Sequence, residues 1–138
     1  DLLNGKVFID SLQLSSDLDV QVTNGSIYLY DTSSPASAEL ITVNGSIIVK
    51  NVQFSSYVLE TENGKIDLDD VNADLQDGVL LDAQTTNGSI DLSNVYVLDV
   101  VLETTNGSID YFNDDLSFIL DDLDVSTVNG SYVGNVQD

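Results

Sequence analysis

The stretch Val20-Gln21-Val22-Thr23-Asn24-Gly25-Ser26-Ile27-Tyr28-Leu29 decides the fold. Apolar residues alternate on both sides of Asn24-Gly25, and the parity changes across the dipeptide. The same dipeptide recurs at Asn4, Asn44, Asn63, Asn87, Asn106 and Asn129, with steps of 20, 20, 19, 24, 19 and 23 residues. A period near twenty marks a stacked repeat.

Counting each Asn as position zero, −4 holds Val20, Leu40, Leu59, Ala83, Leu102 and Val125. Position −2 holds Val22, then Thr42, Thr61, Thr85, Thr104 and Thr127. Position +3 runs Val7, Ile27, Ile47, Ile66, Ile90, Ile109, Tyr132, and +5 runs Ile9, Leu29, Val49, Leu68, Leu92, Tyr111, Gly134. Period-two alternation on each side predicts two short strands, each with one buried face. Gly at +1 permits a positive φ, and with it a corner.

Two all-β folds fit. Asn-Gly between alternating strands is a hairpin signal, and seven hairpins would form an antiparallel meander or barrel. Each hairpin unit would need a second tight turn, however, and between the motifs the strong breakers are only Pro35 and Gly78. Those stretches instead hold Leu12/Leu14, Val52/Phe54, Val95/Val97 and Leu116/Phe118, which suit a third side of a coil. The favoured fold is therefore a parallel β-solenoid: one domain over residues 1–138, six to seven coils of roughly twenty residues, Asn-Gly at one corner. The longer units carry their extra residues at Asp74-Leu75-Gln76-Asp77-Gly78 and around Asp114-Asp115 and Asp121-Asp122. Insertions on one side of a coil are tolerated.

Thr-Asn-Gly-Ser-Ile stands at 23–27, 86–90 and 105–109, with Leu-Glu-Thr before it at 102–104. This repeat resembles that of an adhesin-type domain of unknown function, a family of β-strand-repeat proteins common in bacteria. The resemblance spans nearly the whole chain. It implies a parallel β-helix and a surface or adhesive role, hence an extracellular or cell-surface location, and it carries over no catalytic residue. Lys6 and Lys65 at +2, and Leu3 at −1, depart from the pattern.

Composition narrows the function. The net charge is −21, with 24 acidic residues against Lys6, Lys50 and Lys65. Phosphate backbones and anionic membranes need basic stripes, so nucleic acid and membrane partners are not expected. No apolar run is long enough to cross a bilayer. The chain begins at Asp1 and reads as a mature protein or an excised fragment. The absence of Cys excludes disulfides and thiolate metal sites. With no His, Cys or Arg, acid–base groups are confined to carboxylates, three Lys and Tyr. Two stacked Asp about 5 Å apart match a retaining glycosidase pair, but a solenoid gives that spacing anywhere along it. The expectation is a non-catalytic module.

Stacking in register places equivalent residues about 4.8 Å apart. Asn24, Asn44, Asn63, Asn87, Asn106 and Asn129 are then expected to form an inward-facing amide ladder, a structural corner. Five of the motifs read Asn-Gly-Ser, a glycosylation acceptor pattern that an inward ladder would preclude. Thr at −2 also falls on the inward parity, which argues against an ice-binding Thr row.

The outward column at +4 carries the functional expectation. It runs Phe8, Tyr28, Ile48, then Asp67, Asp91, Asp110, then Val133. Phe8, Tyr28, Ile48 and the nearby Tyr30 form a candidate contact surface for a protein or carbohydrate ligand. Asp67, Asp91 and Asp110 are weak candidates for a calcium site, the one cofactor considered, because stacked carboxylates repel by about 1 kcal/mol per neighbour unless a cation intervenes. The stretch Asp67-Leu68-Asp69-Asp70-Val71-Asn72-Ala73-Asp74 lacks the Gly and spacing of a calcium loop. Lys50 is expected beside Asp69. Exposed strand edges at solenoid ends further suggest end-to-end self-association. The leading reading is a structural or adhesion-type module presenting a rigid acidic surface, and the alternative is a calcium-responsive binding module.

Overall fold

A computed structural model describes residues 1–72 and 78–136. The chain winds into a parallel β-solenoid whose two long sides meet at the Asn-Gly corner. The side before the corner holds β1 (Leu2–Asn4), β3 (Leu18–Asn24), β5 (Ser37–Asn44), β7 (Ser56–Asn63), β9 (Gly78–Asn87), β11 (Val97–Asn106) and β13 (Asp122–Asn129), hydrogen-bonded in that order. The side after it holds β2 (Val7–Asp10), β4 (Ile27–Tyr30), β6 (Ile47–Val52), β8 (Ile66–Val71), β10 (Ile90–Val95), β12 (Ile109–Phe112) and β14 (Tyr132–Gly134), likewise in order. Every strand pair described is parallel, so the hairpin alternative fails. A parallel sheet puts a whole coil between neighbouring strands, which is what a twenty-residue period provides.

The register matches the sequence columns. Asn24 lies opposite Asn4 and Asn44, and Ile66 lies between Ile47 and Ile90. Ile27, Ile47, Ile66, Ile90 and Ile109 are fully buried, as are Leu40, Leu59, Ala83 and Leu102 from the facing sheet. Burying each Leu or Ile contributes about 2 kcal/mol before entropy is subtracted. No buried side-chain nitrogen or oxygen among the described residues lacks a hydrogen-bond partner.

The Asn ladder forms, but not on the inward face. Each Nδ2 donates to Oδ1 of the preceding Asn over 2.8–3.0 Å, giving six bonds from Asn24→Asn4 to Asn129→Asn106. All seven Asn side chains are exposed. At a corner the Cα–Cβ bond leaves along the outer bisector, so the strand's parity does not carry the side chain inward. Burial therefore does not preclude glycosylation at the Asn-Gly-Ser motifs, contrary to expectation; each Nδ2 from Asn24 onward is instead engaged in the ladder. Thr supplies the inward layer instead. Thr42, Thr61, Thr85, Thr104 and Thr127 each donate through Oγ1 to the Gly carbonyl of the preceding coil at 2.8–3.2 Å.

The corner glycine serves contact more than conformation. Only Gly5 and Gly25 have a left-handed φ, 131° and 150°. In the coils from Gly25 to Gly130, a Cβ would lie 1.6–2.1 Å from the preceding Gly carbonyl oxygen. No side chain fits there.

A second corner lies at +7, where Ser11, Asp31, Asn51, Asp70 and Asn94 adopt φ of 47–57°. Asn and Asp are the non-glycine residues that tolerate this region best. Beyond it, the third side differs from expectation. Val52, Phe54, Val95 and Val97 are buried and Leu14 and Phe118 half-buried, but Leu12 and Leu116 are exposed. Early coils close this side by isolated bridges, Gln13 to Ser33 and Ser33 to Gln53. Later coils use side-chain amides. Asn72 donates from Nδ2 to the Phe54 carbonyl and accepts the Phe54 N–H, at 3.0 and 3.1 Å. Asn113 does the same to Val95 at 3.0 and 2.9 Å, and Asn135 to the main chain of Asn113 at 2.9 and 2.8 Å. Each amide stands in for a missing strand residue. Four of the five residues expected to extend the 24-residue unit, Asp74 to Asp77, lie outside the described residues.

Candidate contact surface and acidic column

Outward positions of the second sheet are +2, +4 and +6. The +4 column is continuous, with Phe8, Tyr28, Ile48, Asp67, Asp91, Asp110 and Val133 each opposite the next. In its first half Phe8, Tyr28 and Tyr30 form a three-ring cluster. Phe8 meets Tyr30 edge-on at 5.3 Å between centroids, and Tyr28 lies 6.0 and 6.3 Å from Phe8 and Tyr30. Such geometry is favourable beyond its buried area, by about 1 kcal/mol per pair. Lys6 stands over the Tyr28 ring at 5.9 Å. Ile48 continues the column beside Tyr28. The four candidate contact residues are thus brought together on one sheet face.

In the acidic half a side chain of the protein, Lys65, stands between two of the stacked carboxylates considered as weak calcium candidates. Lys65, at +2, places Nζ 3.2 Å from Asp67 Oδ2 and also in contact with Asp91 Oδ2. In the sequence Lys65 stands out as a departure from the pattern. Its signal was one of two ammonium groups, with Lys6, in a column otherwise filled by Ser26, Ser46, Ser89, Ser108 and Ser131. Asp110 stacks next to Asp91 one coil further on. Among the described residues no three carboxylates converge on a metal-sized site. Lys50 pairs with Asp69 at 3.6 Å, as expected, and this exposed pair is worth little.

The two faces differ in charge. All three Lys sit on the outer face of the second sheet or its corner edge. All four Glu (39, 60, 62 and 103) project from the first sheet. There Glu60, Glu62 and Glu103, with Gln84, Thr86 and Thr105, line an open acidic depression.

Two groups make the fold sensitive to alkali. The hydrogen bond to Asp91, chiefly, raises the Lys65 pKa. Burial pushes the Tyr111 phenol up as well, and its hydroxyl donates to the Val95 carbonyl at 2.7 Å. Both groups hold their protons more tightly folded than unfolded. The stability they contribute is present below their unfolded values, near 10, and is lost as pH rises through the higher folded values. The melting temperature is therefore expected to fall progressively above about pH 10. Melting of Tyr111→Phe across that range should show a shallower fall; an identical slope would remove Tyr111 from this account.

Comparison with protein-family models, with curated proteins and with solved structures finds no match to this chain.

Proposed function

We propose that the chain is a non-catalytic structural and adhesion-type module, a solenoid that holds a contact surface in fixed register. The observation that carries this reading is the Phe8–Tyr28–Tyr30 cluster on the outer face of β2 and β4. Tyr28 and Tyr30 stand on β4, which is hydrogen-bonded to a strand on each side, and Phe8 packs on both rings from the edge strand β2, so the cluster is a pre-organised platform that loses little entropy on binding. Ring faces with phenolic hydroxyls at their edge suit the C–H face of a sugar or the apolar side chains of a protein surface. The acidic remainder of the surface repels polyanions and favours solubility. The resemblance of the Thr-Asn-Gly-Ser-Ile repeat to adhesin-type domains supports the same reading and a place outside the cell or on its surface.

The test is retention of soluble neutral polysaccharides and of proteins by the immobilised chain, compared with Tyr28→Ala/Tyr30→Ala. Loss of two aromatic contacts is expected to weaken retention at least about tenfold, with little change in melting. Equal retention by both on every ligand would remove the platform as the contact face. Turnover of a polysaccharide that is lost in Asp91→Asn would overturn the non-catalytic reading.

A further inference from the structure

Each corner dipeptide carries a reaction as well as a shape. In an Asn-Gly pair the Gly nitrogen can attack the side-chain carbonyl carbon of the Asn, because no Cβ on the Gly obstructs it. The N–Cγ bond forms, and Nδ2 leaves as ammonia, taking the proton of the Gly N–H with it. Water then opens the imide ring at either carbonyl, its hydroxyl going to the carbon and its proton to the nitrogen. The product is Asp or isoaspartate, and no oxidant, reductant or cofactor enters. Seven such pairs stand in this chain, and all seven Asn side chains are exposed to water.

Burial thus gives the Asn side chains no protection, but the hydrogen bonds of the corner do. At Asn24, Asn44, Asn63 and Asn87 both reacting groups are held. The N–H of Gly25, Gly45, Gly64 and Gly88 donates to the Asn carbonyl of the next coil at 2.8–3.1 Å, which occupies the nucleophile. Each Nδ2 donates to the Asn before it and each Oδ1 accepts from the Asn after it, at 2.8–3.0 Å, which fixes the amide. Ring closure turns the side chain onto its own main chain, and these three bonds oppose it together.

The bonds also run one way. An Asp at position 63 would still accept from Asn87 Nδ2, but at neutral pH it has no donor for Asn44 Oδ1. Carboxylate oxygen would face amide oxygen there. Isoaspartate goes further, because it takes the carbonyl that receives the Gly45 N–H out of the main chain. In both products the bonds lost are those that hold Asn44-Gly45 shut. From this we infer that the ladder protects the Asn-Gly corners from deamidation, and that a corner which does react releases the coil before it rather than the coil after it.

Peptide mass mapping of the 138-residue chain, incubated at one neutral pH either folded or in guanidinium chloride, tests this. Three bonds of ordinary strength should slow deamidation at Asn24, Asn44, Asn63 and Asn87 on the order of a hundredfold in the folded chain. Asn63→Asp places the product without the first reaction. It should speed deamidation at Asn44 by about fivefold, the equivalent of one lost hydrogen bond, and leave Asn87 at its native rate. Asn87→Asp should do the same to Asn63 and spare Asn106. Native-like melting confirms that each variant folds, and the second serves if the first does not. Equal rates in the folded and unfolded chains would overturn the protection. Asn44 and Asn87 accelerated alike by Asn63→Asp, or neither accelerated, would overturn the direction. Phe8, Tyr28 and Tyr30 are untouched, so failure here is distinct from failure of the platform.

Discussion

Gly64→Ala is expected to cost about 3 kcal/mol or more and to lower the melting temperature by about 10 °C. The added Cβ would lie 1.9 Å from the carbonyl oxygen of Gly45, 2.5 Å from its carbonyl carbon and 3.1 Å from the Ser46 nitrogen. All three are main-chain atoms, so no rotamer change relieves the contact. The backbone cannot retreat either. Gly45 N–H is bonded to the Asn63 carbonyl and Gly64 N–H to that of Asn87, each at 3.1 Å. Opening the corner enough to admit a methyl would stretch those bonds, the Asn63–Asn44 amide bond and the Thr61 bond to the Gly45 carbonyl together. Gly5→Ala separates this from conformational strain. Gly5 has a left-handed φ, yet its Cβ would meet only the Leu2 side chain, at Cδ2, over 3.3 Å. Strain alone predicts a loss of about 1–2 kcal/mol there. Thermal melts in which Gly64→Ala is no worse than Gly5→Ala would show that the corner is not closed by contact.

That contrast marks where the sequence was legible and where it was not. The twenty-residue period and the alternation at −4, −2, +3 and +5 reach the solenoid unaided, because stacking in register turns a column of letters into a column of neighbours. Glycine at +1 was read from its dihedral freedom, whereas most of these glycines are required by an approach between coils that no single repeat reveals. The Asn ladder could be foreseen and its outward face could not, since strand parity says nothing about where a side chain points at a bend. The second corner was legible but unread: Ser11, Asp31, Asn51, Asp70 and Asn94 form a column of left-handed formers at +7. On the surface the Phe8-to-Asp110 column was foreseen in full. The reach of Lys65 to both Asp67 and Asp91 was not, because it depends on a flexible side chain spanning from its own coil to the next.

Least legible were Asn72 and Asn113, polar letters in acidic stretches that prove to be buried. They predict the second large effect. Asn72→Asp is expected to lose about 3 kcal/mol at neutral pH. Asn72 is almost fully buried, with φ 53°, a conformation that Asp also tolerates. Shape and backbone preference are thus kept while one donor is exchanged for a charge. Oδ1 accepts from the Phe54 N–H at 3.1 Å and from the Tyr57 hydroxyl at 2.8 Å, and both survive the change. Nδ2 donates to the Phe54 carbonyl at 3.0 Å, and there a carboxylate would set oxygen against oxygen. Burial and that carbonyl both raise the pKa of the introduced carboxyl above its unfolded value near 3.9. Its neutral form, which can donate to Phe54, is then favoured folded, so stability is recovered below the unfolded value and lost as pH rises through the folded one. Melting of Asn72→Asp and the native chain, compared at matched pH, should converge near pH 4 and separate towards pH 7. Asn72→Ala lacks every one of these bonds and should stay below the native chain at both. A gap between Asn72→Asp and native that does not change with pH would mean that the amide fills space without replacing a strand.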